Sequence, residues 1–339
     1  MRDGKIDFDN LAFAFTPTRT MYVSHCDLNG SWDGGSFIPF GDIKISPAAG
    51  VLNYGQGLFE GMKALRTKAG KLVLFRPIEN GHRLAEGSER LCIPPFPPDR
   101  FVTVIRQLVI ENEEYVPPYG KGSLYIRPCV WGTGPILGVA PAPQYTFLVY
   151  VSPVGPYFKT GVKPIKLEIT TAYHRAAAKG TGNVKYIGNY ASGMLPAKET
   201  KARGFSECIY VDSREEKYIE EVGAANFFCV HGDTVLTPKL GSILPGITRR
   251  SVLQIASDML GLKVKECQVS IEEALSADEA FCSGTAAVVS PIGSITYTGK
   301  ETVFNNFEVG KVTRALYDKL TRIQLCEEAD PFGWVVPVK

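Results

Sequence analysis

A stretch rich in proline and glycine near the middle of the chain constrains the fold most strongly. Residues 152–164 contain three prolines and two glycines, and these residue types interrupt helices and strands and are typical of loops. The chain of 339 residues is long enough to build two domains, one on each side of this stretch. We therefore predict a first domain at residues 1–151, a linker at residues 152–164 and a second domain at residues 165–339.

Both halves of the chain mix strands and helices, without the regular alternation that is typical of a doubly wound sheet. Residues 123–130 and 145–151 are rich in β-branched and aromatic side chains, which predicts buried strands. Apolar residues at helical spacing predict a helix at residues 99–114. The other predicted elements are strands at residues 20–24, 43–46, 71–75, 165–171, 207–211 and 226–230, and helices at residues 194–202, 246–260 and 312–325. This mixture indicates the α+β class.

Charge and hydropathy argue against two classes of function. The formal net charge is +2, so the chain lacks the basic excess that attracts nucleic acid. No apolar run approaches the roughly 20 residues that a membrane-spanning helix needs. The first residues lack the apolar core of a secretory signal and the Arg- and Ser-rich character of a transit peptide. From this start we expect a cytoplasmic protein.

The cysteines and histidines do not predict a metal site. The chain has eight cysteines and four histidines, but no two cysteines form a Cys-x-x-Cys pair and no set has zinc-ligand spacing. We therefore expect no bound metal, and we expect the cysteines to serve as small buried apolar residues in a reducing compartment.

One lysine stands in an unusual setting. Lys185 follows Gly180 and Gly182 and precedes a Gly-Asn-Tyr run that begins at Gly188. The glycines of this run leave little bulk around the lysine amine. A lysine whose amine is desolvated loses its proton and attacks carbonyl groups, as in Schiff-base enzymes. A lysine on a surface loop is the simpler interpretation, and the spacing alone favours it.

Seven ordered blocks resemble the branched-chain amino acid aminotransferases, which are class IV, fold-type IV pyridoxal-phosphate enzymes. The blocks lie at residues 54–61 (YGQGLFEG), 74–77 (LFRP), 124–128 (LYIRP), 180–190 (GTGNVKYIGNY), 221–227 (EVGAANF), 244–249 (LPGITR) and 284–286 (GTA). The resemblance extends from about Phe15 to about Trp334, which is nearly the whole chain. One block alone would be a weak signal, and their order makes the set specific.

The resemblance implies a small N-terminal domain, a larger C-terminal pseudo-barrel and pyridoxal 5′-phosphate bound between them. It implies a transaminase that moves an amino group, in two half-reactions, between L-leucine, L-isoleucine or L-valine and 2-oxoglutarate, giving 2-oxo acids and L-glutamate. It also implies a homodimer with shared active sites, in which Phe59 lines the apolar substrate pocket together with Tyr54 and Val139 of the other subunit. Core packing is the simpler role for Phe59 and Val139.

For the cofactor, the resemblance implies that Lys185 forms the imine and then shuttles the proton, and that Glu221 faces the pyridine nitrogen. The neighbouring Glu220 fits a solvated hairpin, and only the motif Glu-x-Gly-x-x-Asn favours Glu221 over it. Tyr190 resembles the tyrosine that donates to the phenolic oxygen of the cofactor. Ala224 stands where many relatives carry a hydroxyl residue, which removes one hydrogen bond near the cofactor.

An anion site for the cofactor phosphate is indicated at the start of a predicted helix, where free backbone N–H groups and the positive helix end attract anions. The residues concerned are Gly246, Ile247 and Thr248. A plain Pro-Gly turn is the simpler interpretation. The family pattern adds the charge of Arg83, in preference to Arg76, and the hydroxyl of Thr285.

The substrate carboxylates are assigned to a strand and a turn. Tyr125 and Arg127 alternate on a predicted strand, so their side chains point to the same face. In the family this pair binds carboxylate groups, and the arginine takes the side-chain carboxylate of glutamate. The resemblance further implies that the backbone amides of Thr285 and Ala286 hold the α-carboxylate.

Three alternatives to this function can be weighed. A D-amino acid aminotransferase or an aminodeoxychorismate lyase would share the fold, but the long N-terminal half and the Tyr125-x-Arg127 pair argue against them. An enzyme acting on methionine-derived oxo acids stays open, because its pocket would barely differ. A non-catalytic binding protein is the alternative from another class, and intact Lys185, Glu221 and Arg83 argue against it.

Overall fold

The computed structural model describes residues 6–155 and 162–339, and its contacts divide the chain into two compact units. The first unit contains Met1–Lys159, Val184–Ile187 and Ile323–Lys339, and the second contains Thr160–Asn183 and Gly188–Arg322. Of the predicted linker, residues 152–154 lie in a strand and residues 156–161 lie outside the described residues. The predicted boundaries at residues 151 and 165 therefore stay a prediction.

The helices and strands of the described residues are numbered in chain order. The helices are α1 Gly50–Tyr54, α2 Pro77–Arg90, α3 Pro98–Glu111, α4 Ile187–Ala191, α5 Met194–Ala202, α6 Ile247–Asp258, α7 Ile271–Leu275 and α8 Lys311–Gln324, with 3-10 turns at Glu113–Tyr115 and Asn305–Phe307. The strands are β1 Thr20–Cys26, β2 Ser36–Pro39, β3 Gly57–Phe59, β4 Met62–Arg66, β5 Leu72–Phe75, β6 Ser123–Gly132, β7 Tyr145–Val154, β8 Ile165–Thr170, β9 Glu207–Val211, β10 Ile219–Val222, β11 Ala225–His231, β12 Thr234–Pro238, β13 Lys263–Cys267, β14 Glu279–Gly284, β15 Val288–Tyr297, β16 Lys300–Val303 and β17 Val335–Pro337.

The first unit is built on one antiparallel sheet. Its strands follow the order β17-β5-β4-β6-β7-β1-β2, and the short β3 also pairs with β6. The central strands β6 and β7 pair along their whole length, from Ser123 opposite Val154 to Gly132 opposite Tyr145. The apolar face of α3, which includes Phe101, packs into the same buried core as the strand residues. This sheet carries β3 and β6, on which several candidate site residues lie.

The second unit contains a closed ring of strands. The sheet order is β10-β9-β8-β15-β14-β11-β12-β13, and β10 also pairs with β11. The six strands from β10 to β11 therefore close on themselves, with β8 parallel to both β9 and β15. One unit with a barrel of this kind and one with an antiparallel sheet make up the α+β architecture that the sequence predicts, so the predicted fold class is confirmed.

Most predicted elements exist, and their ends move by a few residues. Helix α5 and strand β9 have the predicted bounds, and the Ser270 hydroxyl accepts from the Glu273 N–H over 3.0 Å as a helix cap. The strand predicted at residues 43–46 is wrong, because β1 instead pairs with Ser36–Pro39. Helix α2 has no counterpart among the predicted elements. Five of the eight cysteines are buried, while Cys92 and Cys326 are exposed.

Candidate active site

The lysine that the sequence singles out is held against a strand of the first unit. The backbone N–H of Phe59 in β3 donates to the carbonyl of Lys185 over 3.2 Å, and the next residue, Tyr186, forms a bridge with Leu58. Lys185 Nζ lies 4.7 Å from the centroid of the Phe59 ring, which is within the range of cation–π attraction. Lys185 is half-buried, so it is not a solvated loop lysine.

A second cation lies on the same aromatic ring. The guanidinium carbon of Arg127 is 4.6 Å from the centroid of Phe59, and Arg127 Nη2 donates to Tyr125 Oη over 3.2 Å. Arg127 Nε is buried and has no acceptor among the described residues. A buried donor without an acceptor is costly, so this face of β6 is suited to receiving a carboxylate.

The predicted phosphate arginine is engaged in a buried ion pair. Arg83 Nε and Nη2 donate to the two carboxylate oxygens of Glu60, each over 2.8 Å, and Asn80 Nδ2 donates to Glu60 over 2.8 Å. Burial raises the pKa of Glu60, but Arg83, Lys185 and Asn80 outweigh it and hold that pKa below its usual range. Sequence reasoning gave Glu60 no role, although it lies in the block at residues 54–61.

The rival arginine occupies a different environment. The guanidinium carbon of Arg76 lies 4.9 Å from the ring centroid of Trp334, and Arg76 Nη2 is 3.4 Å from Glu79 Oε1. Arg76 stacks on an aromatic ring next to the start of α2, and this placement gives it a structural role. The assignment of the phosphate charge to Arg83 stays a prediction.

The candidate acid lies in the second unit and is surrounded by donors. Glu221 in β10 is 2% exposed. Its Oε1 accepts from the Leu244 N–H over 2.7 Å and from Asn226 Nδ2 over 3.0 Å, and its Oε2 is 2.7 Å from Arg175 Nε. Donors and a cation around both oxygens favour the ionised carboxylate. This setting differs from a solvated hairpin acid.

Arg175 and Asn226 are the residues at this acid that sequence reasoning did not assign. Arg175 is 8% exposed, and its Nη1 donates to the carbonyls of Gly182 and Ser242 over 3.2 and 3.1 Å. Asn226 is the last residue of the motif Glu-x-Gly-x-x-Asn, so its position was signalled. Arg175 lies in a loop with no motif, and nothing in the sequence alone would have selected it.

The predicted anion site is the start of a helix that is connected to this acid. Gly246 is the N-cap of α6, and Ile247 and Thr248 are its first two residues; the first N–H groups of a helix have no partner within the helix. A Cβ on Gly246 would lie 2.0 Å from Asn226 Oδ1, so only glycine fits here. Asn226 thus lies against the helix start while its amide nitrogen binds Glu221.

The predicted α-carboxylate site is a tight turn between two strands of the ring. Thr285 and Ala286 lie in the turn that joins β14 to β15, closed by the pair Gly284 and Val288. Val288 has φ 63°, a left-handed conformation that a β-branched residue adopts only under strain. Tyr190 is half-buried in α4, and Ala224 is exposed at the turn between β10 and β11.

Tyr54 and Val139 lie on an exposed apolar surface of the first unit. Val139 is 87% exposed, Tyr54 37% exposed and Leu137 93% exposed. The Tyr54 hydroxyl donates to the carbonyl of Leu137, and the Ile136 N–H donates to the carbonyl of Ala48 over 2.9 Å. These bonds connect the loop that carries Val139 to helix α1. Contiguous exposed apolar side chains of this kind mark interaction surfaces, so core packing does not describe Val139.

Comparison with known proteins gives the family. The family described as amino-transferase class IV matches residues 57–295, and the chain therefore belongs to the class IV aminotransferases. Within that class it belongs with the branched-chain amino acid aminotransferases. A chloroplastic branched-chain amino acid aminotransferase 2 of Humulus lupulus is 50% identical over 332 residues, which cover 98% of this chain and 81% of that protein.

Two other relatives and two solved structures complete the comparison. A mitochondrial branched-chain amino acid aminotransferase 1 of Humulus lupulus is 46% identical, over 98% of this chain and 84% of that protein. A methionine aminotransferase of Arabidopsis thaliana is 43% identical, over 98% of this chain and 94% of that protein. The Escherichia coli branched-chain amino acid aminotransferase structure has a TM-score of 0.82 at 26% identity, covering 95% and 100% of the two chains. That of the branched-chain aminotransferase from the archaeon Thermoproteus uzoniensis with norvaline has a TM-score of 0.79 at 28% identity, covering 94% and 100%.

The expectation of a cytoplasmic protein is wrong. Similar branched-chain relatives are named chloroplastic or mitochondrial, which contradicts this expectation. The physical reason is that an organellar address is read by receptors and is independent of the charge and core of the mature fold. Within residues 6–155 and 162–339, no helix has the length and apolar character to cross a bilayer, and no cluster of metal-ligating side chains is found.

Proposed function

We propose that this chain is a branched-chain amino acid transaminase that uses pyridoxal 5′-phosphate and 2-oxoglutarate. The observation that carries the proposal is the buried Glu221 carboxylate, which donors on both oxygens keep ionised. A buried carboxylate held in this way is the partner that a protonated pyridine nitrogen requires. Family membership supplies the reaction class.

The residues present fit this cofactor. Glu221 offers an ionised acid for the ring nitrogen, and Gly246, Ile247 and Thr248 offer backbone N–H groups and a hydroxyl for the phosphate. Arg83 and Thr285 are assigned to the same phosphate, and Tyr190 to the phenolic oxygen. When bound, pyridoxal phosphate withdraws electrons from the substrate α-carbon, so that a proton and the amino group can be exchanged.

Lys185 would hold the cofactor covalently and move the proton. Its amine is half-buried against the Phe59 ring, and a lysine amine is the group that bonds to an aldehyde as an imine. With the cofactor bound, the amine of Lys185 would carry the proton between the α-carbon of the amino acid and the cofactor. The same amine would serve the second half-reaction with 2-oxoglutarate.

Two carboxylates of the substrate need separate sites. The Thr285 and Ala286 backbone amides bind the α-carboxylate in this proposal. Arg127 and Tyr125 bind the side-chain carboxylate of glutamate or 2-oxoglutarate, which the buried Arg127 Nε supports. Phe59 offers an apolar surface to the branched side chains of leucine, isoleucine and valine, and one methylene changes binding by only about 1–3 kcal/mol.

The active unit in this proposal is a homodimer. Tyr54 and Val139 form an apolar surface with Leu137, and a second copy of the chain would cover it and gain the two side chains for its substrate pocket. The exposed fraction of Val139 supports this assignment, because a side chain of this kind is stabilised only when it is covered.

Methionine-derived oxo acids are a second substrate class. A methionine aminotransferase of Arabidopsis thaliana is 43% identical to this chain, and methionine is close to leucine in size and polarity. We therefore propose that L-methionine is accepted beside the branched-chain amino acids.

A visible absorption titration of the purified protein tests the proposal. L-leucine is expected to remove the band of the lysine-bound cofactor, and 2-oxoglutarate is expected to restore it, whereas D-alanine leaves the band unchanged. An absorption band that L-leucine leaves unchanged would contradict the substrate class, although the cofactor assignment would stand. No band after addition of pyridoxal phosphate would contradict the cofactor itself and favour a non-catalytic binding protein.

A further inference from the structure

A second buried carboxylate stands beside Glu221. In the pairing of β10 with β9, Ile219 lies opposite Val211 and Glu221 opposite Tyr210, so Glu220 is an extra residue in a β-bulge. Bulges re-aim side chains and are common next to active sites. Glu220 is 7% exposed, so it is not the solvated hairpin acid that the sequence indicates. The unusual feature is therefore a pair of adjacent buried acids.

One serine connects this carboxylate to the cation that holds Glu221. The Ser242 hydroxyl donates to Glu220 Oε1, and the Ser242 carbonyl accepts from Arg175 Nη1 over 3.1 Å. Arg175 Nε in turn lies 2.7 Å from Glu221 Oε2. The two carboxylates are thus linked to one guanidinium, Glu221 directly and Glu220 through Ser242.

The other oxygen of Glu220 has no such support. Glu220 Oε2 is buried, and no hydrogen-bond partner reaches it in the described part of the chain. Burial raises the pKa of Glu220 above its usual range; Ser242, Arg175 and His174 oppose this shift and Asp212 adds to it. His174 faces Glu216 at 3.3 Å and is partly exposed. Burial therefore makes the carboxyl group of Glu220 harder to ionise than a solvated one.

We propose that Glu220 is a positioning residue for the ring-nitrogen site, acting through Arg175. Its carboxylate provides the negative charge that balances Arg175 when Glu221 binds the protonated pyridine nitrogen of pyridoxal phosphate. This inference rests on the proposed function, because it requires Glu221 to bind that nitrogen.

The balance of charge gives the reason. Glu221 and Arg175 already neutralise each other, so a pyridinium bound at Glu221 adds an uncompensated positive charge to a buried site. Ionised Glu220 restores neutrality, and where its carboxyl group is protonated before binding, that proton goes to solvent. Buried charges are tolerated when they are compensated. The affinity gain from Glu220 is therefore expected to grow as the pH rises through the titration of its carboxyl group.

Two cofactors that differ in one ring atom test this inference. The cofactor-free full chain is titrated with pyridoxal phosphate and with its 1-deaza analogue, whose ring CH cannot take a proton. The Glu220→Gln variant is expected to bind pyridoxal phosphate about tenfold more weakly, the effect of one pKa unit of interaction, and the analogue unchanged. The tenfold loss is expected to shrink towards low pH, where Glu220 is protonated in the wild type as well.

Matched variants separate this role from a structural one. Glu216→Gln removes a half-exposed carboxylate of the same hairpin. It is expected to leave the affinities for pyridoxal phosphate and for the 1-deaza analogue unchanged. Ser242→Ala keeps Glu220 but removes the hydroxyl that donates to it, so ionisation of Glu220 needs a higher pH. The pH above which pyridoxal phosphate binds more tightly than the analogue is therefore expected to be higher in Ser242→Ala than in the wild type. It also serves as the test if Glu220→Gln fails to fold.

The outcomes are distinguishable from a failure of the proposed function. The test is valid if the wild type binds pyridoxal phosphate more tightly than the analogue and Glu221→Gln does not. In that case, an equal loss of affinity for both cofactors in Glu220→Gln, or no loss for either, would overturn the inference. If wild type itself does not discriminate the ring nitrogen, the role of Glu221 is overturned, and the inference about Glu220 with it.

Discussion

Arg175 Nε lies 2.7 Å from Glu221 Oε2, and both residues are almost completely buried in the second unit. A buried carboxylate normally takes up a proton, because burial disfavours its charged form. The guanidinium and the donors from Asn226 and Leu244 reverse that preference. The ion pair thus explains how a charged acid is kept inside this unit, as the proposed role of Glu221 opposite a positively charged ring nitrogen requires.

Removal of the cation is expected to destabilise the fold strongly. Arg175→Met keeps most of the side-chain length but leaves Glu221 buried without its counter-charge, which costs about 3–5 kcal/mol. Urea unfolding of the cofactor-free protein at neutral pH measures the free energy of unfolding. Arg203→Met is the control, because 48% of the Arg203 side chain, which pairs with Glu168, is exposed, and an ion pair screened by solvent is worth at most about 1 kcal/mol. Similar losses in the two variants would contradict the importance of the buried pair.

Loss of the lysine amine is expected to abolish transamination. Lys185→Ala removes the proposed covalent attachment and proton carrier together, and kcat is expected to fall by more than about 10⁴-fold, the upper range for one acid–base group. Coupled assay of glutamate formation from L-leucine measures the rate. Lys179→Ala changes an exposed lysine of the same loop and is expected to retain wild-type kcat. Appreciable turnover by Lys185→Ala would show that another group carries the proton.

The arginine on β6 is expected to control one half-reaction only. Arg127→Met removes the proposed partner of the second carboxylate of 2-oxoglutarate, a charged hydrogen-bonded contact worth about 1.5–3 kcal/mol. KM for 2-oxoglutarate is therefore expected to rise about 10- to 100-fold. L-leucine has no second carboxylate and serves as the control within the same enzyme. An equal rise in KM for both substrates would contradict a selective role for Arg127.

The buried pair of Glu60 and Arg83 predicts a pH-dependent stability. The pKa of Glu60 is lower in the folded protein than in the unfolded chain. Its contribution to the free energy of unfolding is therefore complete above about pH 4.3, its pKa in the unfolded chain. This contribution is lost as the pH falls through its pKa in the folded protein. Glu60→Gln is expected to unfold about 3–5 kcal/mol more easily at pH 7, with a smaller difference from wild type at about pH 3, below the unfolded value. Urea unfolding at several pH values measures this.

The control for this pH dependence is an exposed acid. Glu114 pairs with Arg19 at the surface, with more than half of each side chain exposed. Glu114→Gln is expected to change the free energy of unfolding by less than about 1 kcal/mol at either pH. A difference for Glu60→Gln that does not depend on pH would mean that its carboxylate does not titrate with folding.

Local patterns in the sequence predict the elements well, and distant contacts account for the errors. Helix α5 and strand β9 have the bounds that the sequence predicts. The strand at residues 43–46 was wrong because β1 has a nearer partner at Ser36–Pro39, and only the register of the pair decides between the two. The closure of β10 onto β11 is likewise a long-range feature that periodicity does not contain.

The candidate site divides in the same way. Residues that lie within a dense motif, such as Lys185, Glu221 and Asn226, could be selected from the sequence. Arg175 and Glu220 could not, because their importance comes from burial and from a bulge rather than from any local pattern. Buried charge pairs become visible only when the chain brings two distant segments together.

The glycine at the start of α6 is expected to set cofactor affinity. A Cβ at position 246 would lie 2.0 Å from Asn226 Oδ1, so Gly246→Ala must displace either the helix start or the Asn226 amide that binds Glu221. Affinity for pyridoxal phosphate is therefore expected to fall by at least about tenfold, which corresponds to about 1.4 kcal/mol, as measured by titration of the cofactor-free protein. Gly41→Ala is the control, because a Cβ there meets no atom within 4 Å, and its affinity is expected to match wild type. Unchanged affinity in Gly246→Ala would mean that the start of α6 does not bind the phosphate.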